Sequence, residues 1–405
     1  MNVLIIGQYF PPDMGGASTR AYNIAKGLVL NGCNVTVITA FPHYPHGKIP
    51  DKYKYKPFKI EWFGKIRVIR TFILPLESKG IFNRLVLFGS FMLSSLSVSA
   101  LVRRVDVVWA ANPDVFSLLP SAIYGMLMRG IVVSNVDDLI IEDLYDLGIV
   151  KRNSFISKIA ETLARLLFGN VKGVTPISYG YTTTLVRYGV DRNSIHLIRS
   201  GVDLDLFKPC EHTKNVNRKF VVLYSGGFSV AYNFEQVFNA AKIIENVDEN
   251  IEFVVQGKGE LLDSMRSKVD ELNVKNVRIV NKLLNRNGVS KLLSHADVLL
   301  LPLVAFNTPY RGLSSKLYEY QAVAKPIICC SNGVPQIYVK ETKSGLVVTP
   351  GDYKALANAV IELKRNPDLA RMMGENGRKY VEREASIEAI GSKMKKTFEL
   401  LSCKV

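Results

Sequence analysis

The chain is short of the residues that mark several common chemistries. Its five cysteines (33, 210, 329, 330 and 403) are odd in number and show no metal-ligand spacing. A disulfide scaffold is excluded, and all five read as reduced thiols of a cytosolic chain. The five histidines include no HExxH pair, so no zinc site is expected. No GxGxxG, GxSxG or Walker A motif occurs, which disfavours nicotinamide redox, acyl-transfer and γ-phosphoryl chemistry. The first residues form a strand pattern, not a charged-then-apolar leader. The longest apolar run, Leu85–Val102, is interrupted by Ser90, Ser94, Ser95, Ser97 and Ser99 and flanked by Arg84, Arg103 and Arg104. It reads as a buried or an interfacial helix, not as a membrane span.

Negative charge is also scarce. Lys and Arg number 52 against 36 Asp and Glu, a net charge of +16. Residues 1–200 hold 23 basic and 13 acidic residues, and residues 201–405 hold 29 and 23. Lys48–Arg70 alone carries eight basic residues against Asp51 and Glu61. Such a surface suits nucleic acid, an anionic membrane or an anionic small substrate. Basic residues are not interleaved with a stacking platform, and no nucleic-acid motif appears, so nucleic acid is the weakest of the three.

What is present is a repeated α/β pattern over 405 residues, enough for two domains. Val3–Ile6 is an apolar run suited to a strand covered on both faces. A Gly- and Pro-rich loop, 8–16, follows, then a helix pattern through Leu28 and a strand at Val35–Thr39. Further strands are expected at Val107–Ala110, Ile131–Asn135, Thr175–Ser178 and Ser194–Ile198. Helices are expected at 83–103, 115–129 and 154–169. The alternation restarts at Phe220. Strands are expected at 221–225, 252–256, 277–280, 298–301 and 326–329, and helices at 234–244, 261–272, 314–324, 353–365, 367–381 and 387–401. This predicts two Rossmann-like, doubly wound domains, 1–200 and 201–386, with a C-terminal helix at 387–402 returning to the first. The expected active site is a central cleft between them.

Several motifs fall at strand ends. Gly15 and Gly16 precede a helix, where free amides favour an anion. Gly226-Gly227 and Gly257-Lys258 end two strands of the second half. In TPYRGLSSKLYEYQAVAK (308–325), Ser314 and Ser315 begin a helix, Arg311 and Lys316 supply positive charge, and Glu319 lies one turn on, on the Lys316 face. A carboxylate there suits ribose hydroxyls. In the first half, Asn135, Asp137 and Asp138 follow a strand, with Glu142 and Asp143 beyond; such carboxylates orient hydroxyls or act as bases. His43 and His46 lie in PHYPHGK.

GQYFPPDMGGASTRAYNIAKGLVLNGCNVTVIT, PHYPHGK, DDLIIEDLYDLG, RSGVDLDLFKP, GLSSKLYEYQAVAKPIICCSNGVPQ and SGLVVTPGD together resemble the GT-B, family-4-type retaining glycosyltransferases. Within them, the pattern is most similar to enzymes that build bacterial and archaeal surface polysaccharides or lipid-linked glycans. The resemblance implies a nucleotide-diphosphate sugar held mainly by the second domain. Glu319 matches the second Glu of the E-x7-E signature, which holds the ribose. Ser314, Ser315 and Lys316 match the segment meeting the diphosphate and sugar. Gly15, Gly16, Gly226 and Gly227 match the two glycine loops, and Asp138 and Glu142 match a subgroup's D-L-W-P-E-x-L. Two departures stand out: Arg311 occupies the place of the first signature Glu, and Phe228–Asn233 lacks the family's Arg and Lys phosphate clamp. Asp138, Glu142, Arg311 and Lys316 are the catalytic candidates. No cofactor or metal is expected, since cations replace one. The acceptor is a glycan or lipid-linked, met at an anionic inner membrane face. The alternative is a weakened GT-B module that binds nucleotide sugars.

Overall fold

The computed structural model describes residues 1–44, 47–76, 81–112, 114–139, 141–142, 145, 150–210, 218–306 and 309–403. His46, Asp143, His212 and Thr308 lie outside them. The chain divides into two units: residues 1–201 with 387–405, and residues 202–386.

Unit 1 contains β1 (Asn2–Ile6), α1 (Gly16–Leu30), β2 (Asn34–Ala40), β3 (Phe58–Phe63), β4 (Ile66–Thr71), α2 (Ile81–Ser97), β5 (Val107–Ala110), α3 (Val115–Met128), β6 (Ile131–Val136), α4 (Phe155–Gly169), β7 (Gly173–Pro176) and α5 (Thr182–Arg187). The strand order is β3-β4-β2-β1-β5-β6-β7. All pairs are parallel except β3 with β4. The central strands are buried on both faces, as their unbroken apolar runs require. α1 buries Ala21, Ile24, Ala25 and Leu28, the helical spacing read from sequence, and ends at Asn31 and Gly32. Ser154 caps α4 by accepting from the Ser157 N–H.

Unit 2 contains β8 (Phe220–Gly227), α6 (Phe234–Glu245), β9 (Ile251–Lys258), α7 (Leu262–Leu272), β10 (Val277–Asn281), α8 (Arg286–His295), β11 (Val298–Pro302), α9 (Lys316–Ala322), β12 (Ile327–Cys330), α10 (Val334–Thr342), β13 (Gly345–Val348), α11 (Tyr353–Arg365) and α12 (Pro367–Glu384). Its strands run in the order β10-β9-β8-β11-β12-β13, all parallel.

The expected elements recur, but α5, α8, α10 and β13 stand where no element was expected, and four further differences follow. β3 and β4 lie inside the basic run 48–70, where Lys59, Glu61, Arg67 and Arg70 hide the apolar alternation. Ile195 makes only an isolated bridge to Val174, so the strand expected at 194–198 is absent. Gly226, Gly227, Gly257 and Lys258 are the last residues of β8 and β9, not turns beyond them. Ser314 precedes α9, which begins at Lys316.

After unit 2 the chain re-enters unit 1 as α13 (Ile387–Ser402), whose Ile390, Met394, Phe398 and Leu401 join the core that α1 covers. The two helices touch backbone to backbone. A Cβ on Gly391 would lie 2.2 Å from the Gly27 carbonyl carbon, and one on Gly27 would lie 2.4 Å from Ile387 O. Gly391→Ala is therefore expected to destabilise unit 1 by about 1–3 kcal/mol, read as a lower urea midpoint. Gly89→Ala in α2 meets nothing within 4 Å and is expected to hold stability level or raise it by up to about 1 kcal/mol. Matching midpoints in the two variants would contradict the close crossing.

Candidate functional site

In unit 2 the strand order reverses between β8 and β11, the place where open α/β sheets collect ligands. Segment 228–233 joins the carboxyl ends of these two strands. Asn233 N–H donates to Pro302 O at 2.8 Å, and Val304 N–H donates to Ala231 O at 3.1 Å. Lys316 reaches this junction. Its Nζ donates to Tyr232 Oη at 3.3 Å and lies 5.3 Å from the Tyr232 ring centroid. Gly226 makes room for it: a Cβ there would sit 2.3 Å from Lys316 Cε and 2.7 Å from Nζ. Gly257 pairs with Gly226 across β8 and β9, and its Cβ would fall 1.7 Å from Gly226 O. Two glycines thus bare the backbone at the reversal, and an ammonium group lies against it. The rings of Tyr232 and Phe234 each pack 5.1 Å from Tyr224. Burial, then the neighbouring Tyr232, raises the Tyr224 phenol above its usual range, so it remains a neutral donor to Gly227 O at 2.6 Å.

Glu319 lies one turn along α9. Its Oε1 accepts from Arg286 Nη1 at 2.5 Å. Arg286 opens α8 beyond the carboxyl end of β10, and its guanidinium stands 4.8 Å from the Phe207 ring. Asn285 caps that helix by accepting from the Gly288 N–H at 2.8 Å. The described part of the loop before α9 is pinned at Tyr310, whose carbonyl accepts from Val334 N–H at 2.8 Å and whose ring stacks on Phe306 at 4.8 Å.

In unit 1 the order reverses between β1 and β5. Gly7 follows β1 and lies against Ala111, where a Cβ would meet the Ala111 Cβ at 2.7 Å. The loop then runs to Gly15, whose φ of +123° suits glycine. Gly15 and Gly16 are exposed, and no side chain caps α1 there. Asp13 Oδ1 accepts from the backbone N–H of His43 at 2.8 Å and of Tyr44 at 2.9 Å. The buried His43 ring donates from Nδ1 to Phe41 O at 2.9 Å and stacks 5.5 Å from Tyr9. Arg70, fully buried, donates to Pro11 O and to Glu61 Oε2 at 2.6 Å. Tyr53 donates to Glu61 Oε1 at 2.9 Å. Burial alone would raise the Glu61 carboxyl; the Arg70 and Tyr53 hydrogen bonds outweigh it and hold the pKa at about 2.

At the carboxyl end of β6, Arg20 gathers Asp137 Oδ1 at 2.7 Å and Asn135 Oδ1 at 2.8 Å. Asp138 is exposed. Glu142 is buried between Arg152 at 2.9 Å, Arg187, and the Tyr188 hydroxyl at 2.9 Å.

The Glycosyltransferase Family 4 model matches residues 14–206, and the model for Glycosyl transferases group 1 matches residues 211–380. The chain belongs to the family-4, group 1 glycosyltransferases. It is 23% identical over 275 residues to the putative colanic acid biosynthesis glycosyl transferase WcaI of Escherichia coli strain K12. That alignment covers 64% of this chain and 66% of the relative, so it spans just under two thirds of the relative's length. Sucrose-phosphate synthase of Thermosynechococcus elongatus superposes with a TM-score of 0.76 at 20% identity, covering 100% of both chains. Anabaena HepE in complex with UDP-glucose superposes with a TM-score of 0.69 at 14% identity, covering 99% of this chain and 100% of that one. The fold is GT-B.

Of the positions marked in sequence, Gly226, Gly257 and Lys316 come together at the unit 2 reversal. Gly227 and Lys258 end the same two strands, with Lys258 exposed. Lys316 and Glu319 take different partners, Tyr232 and Arg286, so the shared face expected for them is not an ion pair. Ser315 stands at the start of α9 without a side-chain cap, and Ser314 O accepts from Leu317 N–H at 3.1 Å. Arg311 is half-buried in the preceding loop. In unit 1, Glu142 is an internal partner of two arginines, whereas Asp138 faces solvent. Arg286, Tyr232 and Arg20 escaped the sequence reading. The available signal for Arg286 was its place just beyond a parallel strand; Tyr232 and Arg20 carry no local motif.

Since the folded Glu61 pKa lies below its ordinary value of 4.5, its stabilising effect is complete above about pH 4.5 and is lost as pH falls toward 2. Glu61→Gln is expected to flatten the acid limb of stability over that window, measured by urea midpoints against pH. An unchanged slope would count against the Arg70–Glu61 support of the glycine loop.

Proposed function

We propose that the chain transfers a sugar from a nucleoside-diphosphate sugar to a glycan or lipid-linked acceptor, with retention at the anomeric carbon. The observation that supports this most directly is Lys316 lying over bare glycine backbone at the unit 2 reversal. A diphosphate there meets an ammonium group beside backbone amides, with Ser314 and Ser315 next to it. Glu319, oriented by Arg286, accepts the ribose hydroxyls. Gly15 and Gly16, at the open start of α1, suit an anionic group in unit 1.

In the reaction the bond from the anomeric carbon to the phosphate oxygen breaks, and the acceptor oxygen bonds to the same face of that carbon. The acceptor proton passes to the departing phosphate. Negative charge grows on the diphosphate, and Lys316, with Arg311, stabilises it. These cations carry the role that a metal serves elsewhere. Asp138 orients the acceptor or the transferred sugar. The work is done on the cytoplasmic side, at the inner membrane face.

A second reading, a binding module with weakened catalysis, is favoured by Arg311 in place of the first signature Glu and by the absence of cations from Phe228 to Asn233. Sugar transfer or donor hydrolysis by the purified protein separates the two. For the donor site, calorimetry with UDP-glucose and GDP-mannose is the measurement. Lys316→Ala and Glu319→Ala are each expected to weaken the preferred donor by about tenfold or more, the scale of a hydrogen bond to a charged group. Full affinity in both variants sinks the assigned site.

A further inference from the structure

The face of the unit 1 sheet opposite α1 and α13 is covered by α2, α3 and α4, and the outer side of this helical layer is not built for water. α4 shows it best. Ser157, Ala164 and Phe168 are buried. Phe155, Ile159, Leu163 and Leu166 are exposed, and at 100° per residue they fall within about 80° of arc on the opposite side. An ordinary surface helix has a polar outer face; this one has a second apolar stripe. Lys158 and Arg165 flank it, both exposed.

The stripe has company. α2 turns Leu87 and Phe91 inward and leaves Leu85 and Leu93 exposed. α3 exposes Met126 and Leu127 beside Arg129. At the sheet margin, Phe58, Ile60 and Trp62 pair with Thr71, Ile69 and Arg67. Ile69 packs in the core beneath α2, so these three lie on the α2 side of the sheet, and they too are exposed. Lys56 and Lys65, near this strand in sequence, are exposed, whereas Lys52 lies over the Tyr53 ring on the Glu61 side. Lys59 belongs to the other side, beside Glu61 at 3.2 Å.

Carboxylates are nearly missing from these helices. α2, α3 and α4 together contain one, Glu161, and it accepts from the Tyr145 hydroxyl at 3.1 Å. Among the described residues no helix is long and apolar enough to cross a membrane.

We propose that the outer side of the α2–α3–α4 layer, with the Phe58–Ile60–Trp62 margin, is the docking surface of this chain for an anionic lipid bilayer. Apolar side chains enter the acyl boundary while lysine and arginine heads stay at the phosphates. A bilayer suits this surface better than a second copy of the chain, because a two-fold pairing of the face would set its cations against themselves. The proposal builds on the reading of a membrane-side acceptor, but it is tested without sugar transfer.

The experiment is sedimentation of the full chain with vesicles of phosphatidylcholine containing about a third phosphatidylglycerol, and with pure phosphatidylcholine. Binding is expected on the anionic vesicles and to weaken steeply with salt. Phe155→Ser, Ile159→Ser and Leu166→Ser combined, and separately Lys158→Gln with Arg165→Gln, are each expected to lower the affinity by about tenfold or more. Trp62 is 64% exposed and Trp109 is fully buried, so a blue shift of tryptophan emission on vesicle binding reports the strand margin. The urea midpoint of unit 1 in the apolar variant stays near the parent value and shows that the mutated unit is intact. Retained vesicle affinity in both variants, or an unshifted Trp62, overturns the proposal. So does a concentration-dependent dimer that the apolar substitutions abolish, which would make the face an interface between copies. Loss of donor binding in Lys316→Ala with normal vesicle binding separates the two sites.

Discussion

Parallel pairing aligns the carboxyl ends of neighbouring strands on one edge of a sheet, and the candidate chemistry of this chain depends on that alignment. Unit 2 is wholly parallel. Gly226, Gly257, Arg286 and the loop leading to Lys316 therefore arrive at one edge, though they are spread over 90 residues of sequence. The reversal of strand order between β8 and β11 opens a gap there, since the connecting segments leave in opposite directions. What fills the gap is decided by side-chain size. Glycine at two facing positions removes the Cβ atoms that would otherwise block both the lysine and a ligand's approach.

The same constraint explains what the sequence disclosed and what it did not. Elements with a strong period were legible: α11 at Tyr353–Arg365 and β5 at Val107–Ala110 fall where the pattern put them. The pair β3 and β4 was hidden because two of the six residues in each strand are charged, and those charges have tertiary uses. Arg70 is fully buried because it supports the glycine loop through Pro11 O and is neutralised by Glu61. A composition rule counts Arg70 as surface, and only the fold reveals its partner.

The candidate site divides along similar lines. Gly226, Lys316 and Glu319 could be picked out because a family pattern coincides with a strand end at Gly226 and with a helix start at Lys316 and Glu319. Arg286 could not, because its link to Glu319 spans 33 residues and no local spacing encodes it. Glu142 shows the converse: its motif was visible, but only the structure shows it enclosed by Arg152, Arg187 and Tyr188. A motif fixes which residue is present, and packing decides whether its carboxylate meets solvent or an arginine.

The return of α13 to unit 1 has a consequence for the order in which the chain acquires its shape. Residues 202–386 are contiguous, so that unit can close as soon as it leaves the ribosome. The core of the other unit needs Ile390, Met394, Phe398 and Leu401, which are made after all of unit 2. Domains commonly form from the N-terminus onward during synthesis. Here the core beneath α1 lacks its α13 side chains while the second half of the polypeptide is made. The core of unit 1 is thus closed by a helix made after the whole of unit 2.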